Sequence, residues 1–353
     1  MVENGIRLEF DQIQPLQTSI PRQYQFSKIE HEAIVKEIDK LRQKGVIKIV
    51  RHTYDEFVSN IFVRPKKDGD YRMILNLENV NECIKYHKFK MSTLKSAVNL
   101  ITPGCFLATI DWKDAYYSVK IHQKFRKLLR FKFEDVLYEF QVLPNGIASG
   151  PRLFTKITKP IFSQLRKWGF INSPYIDDCL IIGDTQVECR ENVRKTIELS
   201  CKTGFVVHPT KSKFEPTQEI EFLGFVINST NMTLKVNNRQ VDKIIDACKT
   251  LSSETSTTIL HVAKVVGLLV ASFPGVKAGP LYYRRLDNAK NSAIKLNKGN
   301  FYKKMTITSD LKRDLRWWIE NIMHAYKPIN KGNPDLTTYS RACICLMCTQ
   351  TLV

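Results

Sequence analysis

The sequence predicts an α+β fold, on three observations. The middle of the chain reads β-α-β-β-α-β, the order of a split βαβ, ferredoxin-like unit. Ahead of it, short β-prone runs follow one amphipathic helix. Behind it, apolar residues recur at helical spacing in three long stretches. With 353 residues, the chain can build two or three packed units rather than one small domain.

The elements follow in order. Ser27 to Lys44 reads as a helix: Ser27 and Glu30 have capping-box spacing, Ile34, Ile38 and Leu41 share a face, and Gly45 suits the C′ position. Val46 to Val50 is a β-branched strand. Ile61–Lys67 and Tyr71–Leu75 flank Asp68-Gly69, a strong hairpin signal. Its tip carries Lys66, Lys67 and Arg72, a basic ribbon able to close over a triphosphate, or simply a solvated charged turn. Phe106 to Ile110 is a short buried strand that ends in Asp111. Phe131–Phe133 and Val136–Phe140 flank Glu134-Asp135 as another hairpin. Leu143-Pro144-Asn145-Gly146 is a turn. It leads through Ala148, Ser149, Gly150 and Pro151 into a helix, Arg152 to Trp168. The free N–H groups of that helix start suit a phosphate, although most such turns are only structural. Glu188 to Cys201 is helical. Gly204–Val207 and Glu221–Ile227 read as strands, with Lys211-Ser212-Lys213 between them. Val241–Leu251, Thr257–Ala271 and Ser309–Ile322 are helices. In the last, Leu311, Leu315, Trp318, Ile319 and Ile322 form one stripe, so Trp317 and Trp318 read as core rather than base-stacking platforms. From Lys327 on, Pro328, Gly332 and Pro334 mark a linker.

Composition narrows the function classes. Lys and Arg number 54 against 35 acidic residues, a formal net charge of +19. That excess suits a polyanionic partner, nucleic acid first. The basic residues are spread along the chain, not gathered on one amphipathic helix, which disfavours a membrane surface. No apolar run reaches the roughly 18 residues of a membrane span. No basic region followed by an apolar core opens the chain, so no secretory signal is expected and a cytoplasmic or nuclear place is. The nine cysteines are expected as reduced thiols. Cys343, Cys345 and Cys348 cluster, but no second Cys or His pair follows at zinc-ligand spacing.

The chemistry concentrates in Pro174-Tyr175-Ile176-Asp177-Asp178-Cys179-Leu180-Ile181-Ile182-Gly183. Asp disfavours strand interiors and favours turns, so Asp177 and Asp178 belong at or beside a hairpin tip. Two carboxylates so close repel unless a cation neutralises them. By itself an Asp-Asp pair is usually a solvated turn. Asp111, at the end of a buried strand, changes that balance. Three converging carboxylates can hold two metal ions for in-line phosphoryl transfer.

In this order the motifs PKKDGDYRMILNL, LATIDWKDAYYSVKI, LPNGIASGPRLFTK, YIDD, KSKF and FLGF resemble the reverse transcriptase of LTR-type retroelements, particularly gypsy-like and DIRS-like retrotransposons. The similarity runs from Pro21 to Ile322 and is most specific between Val58 and Asn228. The resemblance implies a right-hand polymerase. Its fingers are 21–88 and 118–148, its ferredoxin-like palm 89–117 and 149–230, and its thumb and connection helices 231–326. A 1–20 extension precedes them and a 327–353 tail follows. It implies catalytic Asp111, Asp177 and Asp178. Asp111 and Asp177, with the Trp112 carbonyl, would bind two Mg2+ ions, with Mn2+ as a substitute, and Asp178 would shape the site. Lys211 matches the group that protonates the leaving pyrophosphate; Lys213 is a poorer substitute. Lys66 and Arg72 match nucleotide-clamping residues, and Arg suits phosphate through its planar fork. Asp114, Ala115 and Tyr116 match the nucleotide-pocket floor, with Tyr116 excluding a 2′-hydroxyl. Phe222, Leu223 and Gly224 match the primer grip. The implied partners are an RNA or DNA template with primer, and dNTPs.

Two departures stand out. Asn145 occupies a position where relatives carry Gln or Phe, which puts the contact with the nucleotide, or its fidelity, in question. Pro334 to Ser340 resembles the opening of an RNase H domain, yet Arg341-Ala342-Cys343 stands where its acidic residue is expected. A truncated element without RNase H activity of its own is therefore expected. Two rival readings remain: a non-catalytic nucleic-acid-binding relic, and a metal-dependent nuclease, which would give Lys66, Arg72 and Tyr116 no job.

Overall fold

The computed structural model describes residues 4–11, 15–65 and 71–329. Lys66, the side chain of Arg72, the Asp68-Gly69 turn, Cys343, Cys345, Cys348 and the stretch resembling an RNase H opening lie outside the described residues.

The first elements are α1 (Lys28–Gln43), β1 (Ile47–Ile49), β2 (Val58–Ser59), β3 (Ile61–Pro65), β4 (Tyr71–Leu75), α2 (Glu78–Cys83) and α3 (Leu94–Val98). Next come β5 (Phe106–Asp111), a 3₁₀ turn (Ala115–Ser118), α4 (Gln123–Arg126), β6 (Arg130–Phe133), β7 (Val136–Phe140) and α5 (Gly150–Lys167). Then follow β8 (Ile171–Tyr175), β9 (Asp178–Gly183), α6 (Gln186–Lys202), β10 (Lys213–Thr217), β11 (Glu219–Phe222), β12 (Phe225–Asn228) and β13 (Thr233–Val236). The last are α7 (Asn238–Ser253), β14 (Ser256–Thr258), α8 (Ile259–Ser272), α9 (Arg284–Leu296), β15 (Lys304–Thr306), α10 (Ser309–Asn321) and β16 (Lys327–Pro328).

Two compact units result: Met1–Ser92, Ile110–Cys179 and Val193–Ser212 form one, and Thr93–Thr109, Leu180–Asn192 and Lys213–Val353 the other. In the first, the Ser27–Glu30 capping box opens α1 as expected. A sheet runs β1-β7-β6-β2. Its β6–β7 hairpin turns on Glu134 and Asp135, both at positive φ (46° and 61°), which matches the strand twist. Arg130 is buried here and needs its partners: Glu139 at 2.6 Å and Glu56 at 2.5 Å supply the opposite charge. β3 and β4 pair from Ile61↔Leu75 to Pro65↔Tyr71. Residues 4–11, ahead of the resemblance, pack into this unit. Ile6 and Leu8 are 3% exposed, and the Glu9 carboxylate binds His87 (2.6 Å) and Arg152 (3.2 Å).

The sheet that carries the acidic residues has the order β10-β5-β9-β8. With α5 and α6 as crossovers, this is the ferredoxin-like order predicted. Its last strand differs from expectation. Lys213–Thr217 pairs with β5, through Thr109 and Leu107, whereas Gly204–Val207 makes only a single bridge, Val207 to Trp112. The physical reason is capping. The N–H groups of Gly204 and Phe205 bond back to the carbonyls of Cys201 and Ser200 at the end of α6, and the Phe205 ring is spent against Trp112. Pro216 and the charges of β10 hide its strand character, which an edge position tolerates.

In the second unit a sheet runs β11-β12-β13-β16. Glu221–Ile227 is not one strand. It folds at Leu223 (φ 50°) and Gly224 (φ 84°) into a tight hairpin closed by Phe222↔Phe225. A leucine in the left-handed region is rare, so no local signal announced the turn. Lys327-Pro328 is not linker but an edge strand on β13, and Ile329 N–H donates to the Met232 carbonyl (2.7 Å). Helix α9 was not expected either: Leu286 is its one fully buried residue, so its periodicity is faint. Trp318 is core as predicted, with no exposed surface and its Nε1 donating to the Tyr282 carbonyl. Gly279 is required beside it, because a Cβ there would stand 2.7 Å from the indole. Trp317 stacks on Tyr282 at 4.0 Å. The six described cysteines are free thiols, four of them buried.

Candidate active site

Asp111 closes β5, and its backbone is fixed on both sides. Its N–H donates to Ser212 Oγ (3.0 Å) and its carbonyl accepts from His208 N–H (2.8 Å). The next residue makes the join to the acidic hairpin: Trp112 N–H donates to the Asp177 carbonyl at 2.9 Å. Asp177 lies in the two-residue turn between β8 and β9, after Ile176 at φ 55°, and Asp178 opens β9. Carboxylates more than sixty positions apart in the chain thus meet at one place. The Trp112 indole points elsewhere. It is 2% exposed, stacks on Phe205 at 4.4 Å, and donates from Nε1 to Ser200 Oγ. Only its backbone is left for a metal.

The electrostatics fit a cluster that wants a cation. Burial, then the charges of Asp177 and Asp111, then a hydrogen bond with Asp111, push the Asp178 carboxyl up to about 6, against the pull of Lys211. Asp177 is also raised, by burial and by Asp111, again opposed by Lys211. The rise is the larger at Asp178. Among the described residues, no three Asp, Glu, His or Cys side chains are already set as a metal-binding group. A bound cation would relieve the repulsion that raises these carboxyls. The triad's hard oxygen donors suit Mg2+.

A stability test follows. The folded pKa of Asp178 lies above its ordinary 3.8, so its contribution is full below about pH 4 and is lost as pH rises through about 6. A shift of about two units is about 3 kcal/mol, and screening at this partly open site leaves about 1–2 kcal/mol. Asp178→Asn should therefore raise the metal-free melting temperature at pH 7 by a few degrees. The gain should vanish near pH 4. Thermal scans at both pH values check it.

The neighbouring residues fall as follows. Asp114 has φ 51° and pairs with Lys44 at 2.5 Å. Ala115 is buried. Tyr116 leans on Phe154 (5.1 Å) and on Gly150, where a Cβ would touch the ring at 3.5 Å. Burial, then Asp177 and Tyr175, push its phenol up to about 12, so it stays protonated. Lys211 is exposed and near enough to lower both hairpin carboxyls; Lys213 is exposed on β10. The Ser149 hydroxyl, at the start of α5, is buried without a partner rather than capping the helix. Asn145 is exposed in its turn. In the second unit, the Gly224 carbonyl accepts from Asn237 N–H (3.1 Å), and a Cβ at 224 would lie 2.3 Å from Gln240 Nε2.

Asn81 went unnoticed in the sequence. Its Nδ2 donates to the Gly146 carbonyl (2.9 Å) and its Oδ1 accepts from Ala148 N–H (2.7 Å), so one amide clamps both sides of the turn that follows Asn145. An Asn on a short helix sixty-five positions away carries no local signal. Asn81→Ala should cost about 1 kcal/mol of stability. A melting curve checks it.

The fold is that of the right-hand polymerases. Residues 64–227 match the family model described as reverse transcriptase (RNA-dependent DNA polymerase). The chain is 24% identical over 225 residues to Polyprotein P3 of Commelina yellow mottle virus, covering 62% of this chain and 12% of that polyprotein. It is 21% identical over 207 residues to the transposon Tf2-3 polyprotein of Schizosaccharomyces pombe, covering 59% and 15%. Of solved structures, the foamy viral protease-reverse transcriptase in complex with dsDNA superimposes with a TM-score of 0.75 at 22% identity, covering 94% of this chain and 65% of that one. The same protein in complex with RNA/DNA hybrid gives 0.68 at 22%, covering 90% and 41%. Residues 64–227 are thus similar to reverse transcriptases, and the chain spans under a sixth of the curated polyproteins it matches.

Proposed function

We propose that this chain is an RNA-directed DNA polymerase that adds dNTPs to a primer 3′-hydroxyl on an RNA or DNA template. The observation that carries the reading is the Trp112–Asp177 backbone bond, which brings Asp111 to the acidic hairpin. The reading is supported by the matched family and by foamy viral relatives in complex with dsDNA and with RNA/DNA hybrid. The +19 charge suits such a partner through backbone contacts that ignore sequence.

Asp111 and Asp177, with the Trp112 carbonyl, would hold two Mg2+ ions, and Asp178 would shape the cluster. When bound, such ions supply charge neutralisation and lower the pKa of the attacking hydroxyl. The chain's own groups do the rest. The Tyr116 ring, wedged against Phe154 and Gly150, bars a 2′-hydroxyl. Asn145 meets the nucleotide from a turn that Asn81 holds still. Lys211 stands beside the carboxylates as the proton donor to pyrophosphate. Lys66 and Arg72 clamp the phosphates, and the Phe222–Gly224 hairpin grips the primer. Residues 21–88 and 118–148 serve as fingers, 89–117 and 149–230 as palm, and 231–326 as thumb. No described helix is long and apolar enough to cross a membrane.

Primer extension on an RNA template with Mg2+ tests the proposal. Extension by the wild-type chain and none by Asp177→Asn supports it. Template binding without metal-dependent extension favours the relic, and cleavage without nucleotides favours the nuclease.

A further inference from the structure

Lys44 has no part in the reaction as described so far. It caps the C-terminal end of α1 and reaches the Asp114 carboxylate, seventy positions on, at 2.5 Å. The two side chains are 35% and 41% exposed. A pair this open adds little to stability, so the contact is poorly explained as a fastening. Its place is more telling. Asp114 stands two residues after Trp112, whose N–H is tied to Asp177, and three after Asp111. Its φ of 51° belongs to the left-handed region, which Asp tolerates better than most residues.

With Asp114, four carboxylates lie on this stretch and on the hairpin tied to it: Asp111, Asp114, Asp177 and Asp178. A nucleoside triphosphate brings several more negative charges. Divalent ions and Lys211 answer the triad, since Lys211 lowers Asp177 and Asp178. Asp114 has Lys44. Left bare, its charge would repel a triphosphate bound at the triad across a half-open surface. We propose that Lys44 is a positioning residue for nucleotide binding, which neutralises Asp114 and draws its carboxylate away from the incoming triphosphate. The assignment rests on the polymerase reading above.

The test is dNTP-dependent primer extension by the full chain on an RNA template with Mg2+, comparing Lys44→Ala, Lys44→Arg and Lys44→Ala/Asp114→Asn. Lys44→Ala should raise the dNTP KM about tenfold, with kcat within about twofold and the melting temperature unchanged within about a degree. Lys44→Arg should stay near wild type, because it keeps the charge. In the double variant the KM should fall below that of Lys44→Ala, since the repelling charge is gone. Raising the salt should narrow the gap between wild type and Lys44→Ala. Incorporation by the wild type with an unchanged KM in Lys44→Ala overturns the assignment alone. So does a double variant as impaired as Lys44→Ala, which would mean that Lys44 does not act through Asp114. No incorporation by the wild type overturns the polymerase reading, and this assignment with it.

Discussion

Asp177→Asn lowers the kcat of primer extension by about 10³-fold or more, while affinity for primer–template changes by less than about twofold. The substitution is nearly isosteric and removes one charge at the centre of the cluster. What holds the hairpin in place is the Asp177 carbonyl, which accepts from Trp112 N–H and is untouched by the change. The β8–β9 turn therefore persists. Repulsion inside the triad also falls, because Asp177 is one of the charges that raise Asp178. The variant should consequently melt no lower than wild type in the absence of metal. Gel-resolved extension and fluorescence anisotropy separate catalysis from binding. Extension above about a tenth of the wild-type rate would show that the carboxylate is not needed for chemistry.

The second large effect is on sugar selection. Tyr116→Ala should reduce discrimination against ribonucleotides by about 10²-fold, read as the ratio of kcat/KM for dNTP and rNTP. The ring cannot swing aside to admit a hydroxyl: it leans on Phe154 at 5.1 Å, and Gly150 stands close behind it. Truncation to alanine opens that space. Tyr116→Phe should keep the discrimination, since the barrier is the ring and not the phenol, which remains protonated with its pKa pushed up to about 12. Truncation of a half-buried ring should also cost about 2 kcal/mol of stability, so melting curves must accompany the kinetics. Discrimination unchanged in Tyr116→Ala would remove Tyr116 from the gate.

Much of this arrangement was legible before any coordinates. Ser27 and Glu30 announced the start of α1, and the charged Glu134-Asp135 pair announced the β6–β7 turn. The run Phe106 to Ile110 ending in Asp111, and the apolar flanks of Asp177-Asp178, placed the carboxylates at strand ends. Other features were silent for identifiable reasons. Leu223 turns the chain although leucine disfavours that conformation. Pro216 and neighbouring charges disguised β10 as loop. Helix α9 buries too little to show a clear stripe. Asn81 and Lys44 look like ordinary surface residues until their distant partners are seen across the fold.

By itself the sequence determined the caps, the hairpin turns and the order of the acidic residues, because each depends on neighbours a few positions away. Only the tertiary structure decided which segment completes the central sheet, which amide steadies the Asn145 turn, and which cation answers Asp114. Those choices join positions 65 to 110 residues apart. No local pattern of propensity or periodicity reaches that far; only packing and hydrogen-bond satisfaction in the folded chain select among the alternatives.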